Sequence, residues 1–279
     1  MLTLADVVEG AGGPRIQALE NEPVREVSID SRQALRGDLF VALRGERVDG
    51  HDFVSHALGR GAIAALVDRR LDLAGGLAHG WIDVSVSPAT ASPLAAKLAG
   101  GDGLPLLIRV DDTLKALQRL AAYWRRKIGA LTPGLRVIGI TGSVGKTTTK
   151  EVVAQVLSMR YRTLKSEGNY NNEIGVPLTL LRLRPEHERA VLEMGMYQRG
   201  EIAAYCDWAQ PHTGVVTMVA PVHLERLGTI DNIQLAKAEL VQALPAASDG
   251  GVAVLNDDDE RVRAMASMTR ARVVTHGLA

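Results

Sequence analysis

The chain has a single cysteine, Cys206, so it can form neither an internal disulfide nor a four-cysteine zinc site. That scarcity suits a reducing cytoplasm. It also lacks an excess of either charge, with 32 Lys and Arg against 32 Asp and Glu. No overall field therefore draws it to nucleic acid or an anionic membrane, and any anionic ligand must be held by a local set of donors. No uninterrupted apolar stretch approaches the length of a membrane span. The amino terminus, MLTLADVVEG, carries acids where a signal peptide needs basic residues. A soluble protein is expected. No repeat period is visible, which disfavours a solenoid. The N-K-x-D of guanine-specific switch proteins is absent as well.

What remains is ample material for a globular core: 279 residues, 46% of them apolar, enough for one large domain or two ordinary ones. Strand and helix patterns alternate twice, separated by the Gly- and Pro-bearing connector GALTPGL at 129–135. The expected domains are therefore 1–128 and 129–279. In the first, VREVSID, DLFVAL, AIAALV and LPLLIRV read as strands, with a helix starting near His51. A clearer helix follows Asp111 and Asp112, with Leu114, Leu117, Leu120 or Ala121, Trp124 and Ile128 at helical spacing. Residues 74–103, rich in Ala, Gly, Ser and Pro, read as a mobile excursion with one strand-like island, WIDVSV. In the second domain RVIGI, YRTLK, RAVLEM, TGVVTMV, GVAVLN and ARVVTHG are nearly continuous apolar runs. Such runs predict an α/β fold with a mostly parallel sheet covered on both faces, which binds ligands at the strands' carboxyl ends.

GITGSVGKTTTKE, residues 139–151, lies at such an end. It departs from the G-x-x-x-x-G-K-[ST] phosphate loop, because Ile140 stands where that pattern needs its first glycine. Gly142 and Gly145 nevertheless permit a turn that aims backbone amides, Ser143 included, at a phosphate, helped by the positive end of the helix that follows. Lys146 then lies on the outer phosphates, and Thr147 offers its hydroxyl to Mg²⁺, with Thr148 beside it. Glu193, ending RAVLE, stands where a sheet presents a carboxylate to a nucleotide's metal. His223 follows the strand TGVVTMV and reads equally well as a cap or as a site residue. Lys237 reads by default as an exposed lysine on an amphipathic helix. The three asparagines of GNYNNEIG, Asn172 among them, suit a loop whose amides bond either the chain or a polar ligand.

Together these segments resemble the Mur ligase family, whose phosphate loop is T-G-x-x-G-K-T, here TGSVGKT. The resemblance continues through GNYNNEIGVPLTLL, VLEMGM, GEIA, APVHLERLG, AKAEL and VLNDDD, and in the first domain through DSRQALRGDLFVALRGERVDGHDF, a region similar to the family's uridine-nucleotide site. It implies a small amino-terminal UDP-binding α/β domain and a central ATPase domain. Within the family, the asparagine-rich segment is most similar to the members that join D-alanyl-D-alanine to UDP-MurNAc-tripeptide with ATP and Mg²⁺, in cytoplasmic peptidoglycan precursor synthesis. By that resemblance Lys146 holds the phosphates, Thr147 and Glu193 serve one metal ion and His223 the second. Lys237 matches a lysine the family carbamylates, Asn172 an amide near substrate and phosphate, and Asn256 one near adenine. Ser31, Arg32 and His51 are the candidates for the uridine nucleotide. The family carries a third, carboxyl-terminal domain, whereas this sequence stops at RVVTHGLA. The expectation is a monomer that binds the UDP-peptide weakly and does not ligate alone. A non-catalytic nucleotide-sugar binding module and an amino-acid-adding ligase are the alternatives.

Overall fold

The computed structural model describes residues 1–73, 79–84, 104–222 and 224–278. They form two compact units, Met1–Trp124 and Arg125–Ala279. The division falls inside the long helix Thr113–Leu131 rather than in the connector after it. The helix is divided there because Arg125 already belongs to the second unit's packing, its Nε donating to Ala209 O at 2.9 Å.

The first unit is built on a parallel sheet in the order β1-β2-β3-β5-β4, comprising Val27–Ser28, Leu39–Val41, Ala64–Val67, Gly80–Asp83 (β4) and Leu106–Arg109 (β5). Residues 81–83 of the strand-like island lie in β4, while residues 74–78 and 85–103 of the expected excursion lie outside the described residues. Phe40, Ala65, Val67 and Leu107 form one core with Val54, Ala57 and Leu58 of the helix Val54–Gly59. Side chains of the opposite parity, such as Leu39, Leu66 and Ile108, are buried too, as parallel strands with continuous apolar runs require. The helix Leu4–Gly10 was not anticipated, although Thr3 and Asp6 cap it reciprocally in a T-x-x-D variant of the capping box. It packs so closely on the helix Thr113–Leu131 that a Cβ at Gly10 would lie 2.6 Å from Leu120.

The second unit holds a six-stranded parallel sheet in the order β11-β10-β9-β6-β8-β7. Its strands are Arg136–Thr141 (β6), Thr163–Lys165 (β7), Arg189–Glu193 (β8), Thr213–Val216 (β9), Val252–Asn256 (β10) and Arg272–His276 (β11). Each lies within a run read as a strand from sequence, except that β6 extends one residue beyond RVIGI to Thr141. Ile138, Ile140, Val191 and Val215 bury one face against Ala154 of the helix Lys146–Ser158. On the other face Gly139 and Gly214 leave room for Leu240, whose side chain lies about 3 Å from where a Cβ would stand at either. This seats the helix Ile230–Gln242 directly on the sheet. The chain enters at β6, in the middle of the order, and later strands add on both sides of it. The carboxyl ends of β6, β8 and β9 therefore converge at a topological switch point, where ligands bind in such sheets. Among the described residues no helix is long and apolar enough to cross a membrane.

Candidate functional site

The loop 142–145 is held by the segment that follows β9. Ser143 N–H donates to Met218 O at 2.7 Å, and the Ser143 hydroxyl bridges Ala220 O at 3.0 Å and Ala220 N–H at 2.9 Å. The Thr217 hydroxyl donates to Val144 O at 2.6 Å. Gly142 and Gly145 have φ of +150° and +88°, conformations that favour glycine. Ser143 thereby spends its amide on the protein, so the amides left for an anion run from Val144 into the first turn of the helix, where no intrahelical acceptor exists. Lys146 Nζ curls back over the loop and donates to Gly142 O at 2.7 Å. Burial lowers its pKa, and the Glu193 charge opposes that shift. Thr147 and Thr148 are exposed at the helix start.

Glu193 ends β8 and is 2% exposed. Its Oε1 accepts from Asn171 Nδ2 at 2.9 Å, while its buried Oε2 has no hydrogen-bond partner. Of the asparagine trio, then, Asn171 reaches the carboxylate. Asn172 spends its carbonyl on the backbone N–H groups of Ile174 and Gly175, at 3.2 and 2.9 Å, which opens the helix Gly175–Leu181. Asn172 still lines the cleft, together with Gly142, Lys146, Asn171, Tyr205 and Lys237.

Lys237 is not the exposed lysine that its helix suggests. It is 2% exposed, because the helix bearing it sits close on Gly139 and Gly214. Burial, then the nearby Lys146 charge, bring its pKa down to about 7. The signal that could have exposed it is its i,i+3 spacing from Leu240, which places both on the sheet-facing side of the helix. Asn256 lies at the end of β10 and braces the same strap, donating to Thr217 O at 2.9 Å and accepting from Asp258 N–H at 3.1 Å. His223 lies outside the described residues. Among those described, no group of three His, Cys, Asp or Glu could hold a metal ion.

Sequence reasoning also passed over Lys150, one helical turn beyond Lys146. It is 0% exposed, its Nζ has no hydrogen-bond partner, and it lies 3.8 Å from Glu193 Oε2 and 3.1 Å from Glu151 Oε1.

In the first unit Ser31 is buried in the turn after β1, with its hydroxyl 3.0 Å from His56 Nδ1. The exposed Arg32 pairs with Asp30 at 2.8 Å. Both ring nitrogens of the buried His51 are engaged: Nδ1 lies 2.6 Å from Asp49 Oδ1, and Nε2 accepts from Asp68 N–H at 3.0 Å. His51 thus fixes its loop, and neither nitrogen is left over for a ligand.

Comparison with known proteins bears on this arrangement. The profile of the Mur ligase middle domain matches residues 140–279, and that of the Mur ligase family catalytic domain matches residues 23–125. The UDP-N-acetylmuramoyl-tripeptide–D-alanyl-D-alanine ligase of a Synechocystis species is 38% identical over 260 residues, 93% of this chain and 50% of that protein. Its namesake in Escherichia coli is 40% identical over 233 residues, 84% of this chain and 43% of that protein. Among solved structures, MurF from Acinetobacter baumannii superposes with a TM-score of 0.77 at 31% identity, covering 99% of this chain and 53% of that one. The MurF ligase of Thermotoga maritima in complex with ADP gives 0.71 at 29% identity, covering 92% and 51%. The chain spans about half the length of the curated relatives it matches.

Proposed function

The chain belongs to the Mur ligase family, and from that premise we propose that it forms the UDP-peptide-binding and ATP-binding part of a ligase that joins D-alanyl-D-alanine to UDP-MurNAc-tripeptide. In the reaction proposed, the tripeptide's terminal carboxylate attacks the γ-phosphorus of ATP and ADP leaves. The amine of D-alanyl-D-alanine then attacks the acyl phosphate carbonyl, and inorganic phosphate departs as the amide forms.

The observation that carries this reading is the cleft at the ends of β6, β8 and β9. The glycine-shaped loop and Lys146 lie on one side of it and Lys237 on another. The chemistry must bring a carboxylate to a triphosphate, so the chain's task is to cancel repulsion between two anions. Lys146, now donating to Gly142 O, is free to exchange that acceptor for phosphate oxygens. The loop amides beyond Ser143 and the helix start add fixed dipoles.

The residues fit Mg²⁺. This ion binds through one or two carboxylates, phosphate oxygens and water, and Glu193 Oε2 is a buried acceptor with no partner. Glu193 and the Thr147 hydroxyl would hold it, with His223 a further candidate. When bound, Mg²⁺ supplies charge neutralisation at the triphosphate. Lys237, with its pKa lowered to about 7 by burial, has a substantial free-amine fraction at neutral pH, which is the form that captures CO₂. The resulting carbamate would be an anionic oxygen ligand inside the cleft. Asn172 has an amide nitrogen available to a substrate oxygen, and Asn256 holds the strap beside the adenine end. In the first unit Ser31 and Arg32 are the uridine-nucleotide candidates, and His51 serves them by fixing its loop.

The test is calorimetric titration of the 279-residue chain with Mg-ADP and with UDP-MurNAc-tripeptide. Phosphate release is then measured in a protein carrying this chain at its relatives' full length. Release that requires both UDP-MurNAc-tripeptide and D-alanyl-D-alanine is expected. Release driven instead by lysine or meso-diaminopimelate would mark an amino-acid-adding ligase, and binding without any turnover a non-catalytic module.

A further inference from the structure

The proposal for Glu193 leaves a buried cation unused. Lys150 lies four residues after Lys146 on the helix Lys146–Ser158, so the two point from consecutive turns of one face. Lys146 has carbonyl acceptors, whereas Lys150 Nζ is fully buried without one. What surrounds it is charge. Glu151 Oε1 lies at 3.1 Å and Glu193 Oε2 at 3.8 Å. Glu151 is half exposed and is held from outside by Lys165, while Glu193 is held from the far side by the Asn171 amide. Signs thus alternate from the surface inward: Lys165, Glu151, Lys150, Glu193.

Burying an ammonium without hydrogen bonds is costly, and only a nearby opposite charge offsets that cost. Glu193 has the complementary problem, because its Oε2 is buried and equally unpartnered. Lys150 is compensated by Glu151 at 3.1 Å on one side and by Glu193 Oε2 on the other, and at 3.8 Å the latter contact stops short of a hydrogen bond. Oε2 is therefore neutralised without being consumed as an acceptor.

We propose that Lys150 is a positioning residue: the resident counter-cation of Glu193, which holds the carboxylate in place and yields to a divalent ion by drawing toward Glu151, already 3.1 Å away. This rests on the reading of Glu193 as a magnesium ligand. The proposal fixes a sign that a mere packing role does not. Since ammonium and Mg²⁺ compete for one carboxylate, deleting the ammonium weakens the metal-free protein but tightens the metal.

The experiment uses four versions of the 279-residue chain: wild type, Lys150→Met, Glu193→Gln and the double variant. Melting in EDTA should drop by about 8 °C or more in Lys150→Met, as expected when one partner of a buried pair is removed. The double variant should regain most of that loss, because the stranded carboxylate is gone. Mg²⁺ titrated into the ADP-saturated chain should bind about tenfold more tightly to Lys150→Met than to wild type, and Lys150→Arg should restore wild-type affinity. A double variant no more stable than Lys150→Met, unfolded ones included, overturns the proposal. Unchanged or weaker Mg²⁺ binding in Lys150→Met overturns it too. If wild type and Lys150→Met both fail to bind Mg²⁺, the magnesium reading of Glu193 falls and takes the exchange with it. Uncoupled stabilities with Mg²⁺ still bound sink the counter-cation alone, so the two failures are distinguishable.

Discussion

Replacing Gly142 by alanine probes the loop at its tightest point. A Cβ there would lie 1.9 Å from Thr217 Oγ1 and 3.1 Å from the Met218 backbone nitrogen, on a residue whose φ is +150°. The hydroxyl cannot simply turn away, because it donates to Val144 O at 2.6 Å and lies 3.3 Å from Thr141 O. Rotating it gives up about 1 kcal/mol of hydrogen bonding, and the backbone strain adds about 1–3 kcal/mol. The sum, about 2–4 kcal/mol, can be met by destabilising the fold or by moving the loop off its strap. The share that moves the loop weakens ADP binding, by about tenfold for each 1.4 kcal/mol, whereas the share that destabilises the fold shows in unfolding. Urea unfolding and ADP calorimetry on Gly142→Ala measure the two shares. The double variant with Thr217→Ala separates clash from strain, since it should recover the steric share and leave the φ cost. Gly142→Ala with wild-type stability and wild-type ADP affinity would refute the argument that this glycine is required by Thr217.

Lys146→Met should weaken ADP binding by about 10- to 100-fold, the range of a charge-assisted hydrogen bond, and calorimetry reads it directly; unchanged affinity contradicts the phosphate role. For Lys237, whose folded pKa of about 7 lies below the ordinary 10.5, the unfolded chain binds more protons between those values. Stability therefore rises with pH across that window by up to about 1.4 kcal/mol per unit and is flat with respect to this group below it. In CO₂-depleted buffer Lys237→Met should lose that slope, and parallel wild-type and variant curves from pH 7 to 10 count against a buried neutral lysine. The two asparagines should part company: Asn171→Leu should weaken Mg²⁺ binding in the ADP-saturated chain several-fold by releasing Glu193 Oε1. Asn172→Ala should chiefly cost about 1 kcal/mol of stability through the lost turn at Gly175, as urea midpoints would report.

The strands of the second sheet were legible because a parallel strand covered on both faces is a nearly continuous apolar run, as VIGI and AVL are. Apart from β6, each strand is shorter than its apolar run, and β7 keeps only Thr163–Lys165 of YRTLK. The glycine loop 142–145 was legible for a different reason, since glycine, lysine and helix start are contiguous and their geometry is local. The helix Leu4–Gly10 was missed because seven residues offer too little periodicity, even with Thr3 capping it. What could not be read was the direction of single side chains. Asn171 and Asn172 are adjacent and identical in type. Only the turn that Asn172 closes decides which of them faces Glu193. His51 stood out for its chemistry, yet its two nitrogens are spent on Asp49 and Asp68.

Lys150 and Lys237 carry the same lesson into electrostatics. The whole chain is balanced at 32 charges of each sign, and that balance conceals a concentration of cations in one place. Lys146, Lys150 and Lys237 are all partly or wholly buried in the second unit, the first two beside the buried carboxylate of Glu193 and the third beside Lys146. Desolvation depresses the pKa of both Lys146 and Lys237, so the protein bears a standing cost for holding amines there. A polyanion entering the cleft removes part of that cost by supplying the missing counter-charge, which makes nucleotide affinity and the stability of this region two expressions of one imbalance. A site arranged only for stability would match its charges internally; under the proposed function, this one leaves the matching to be completed by the nucleotide.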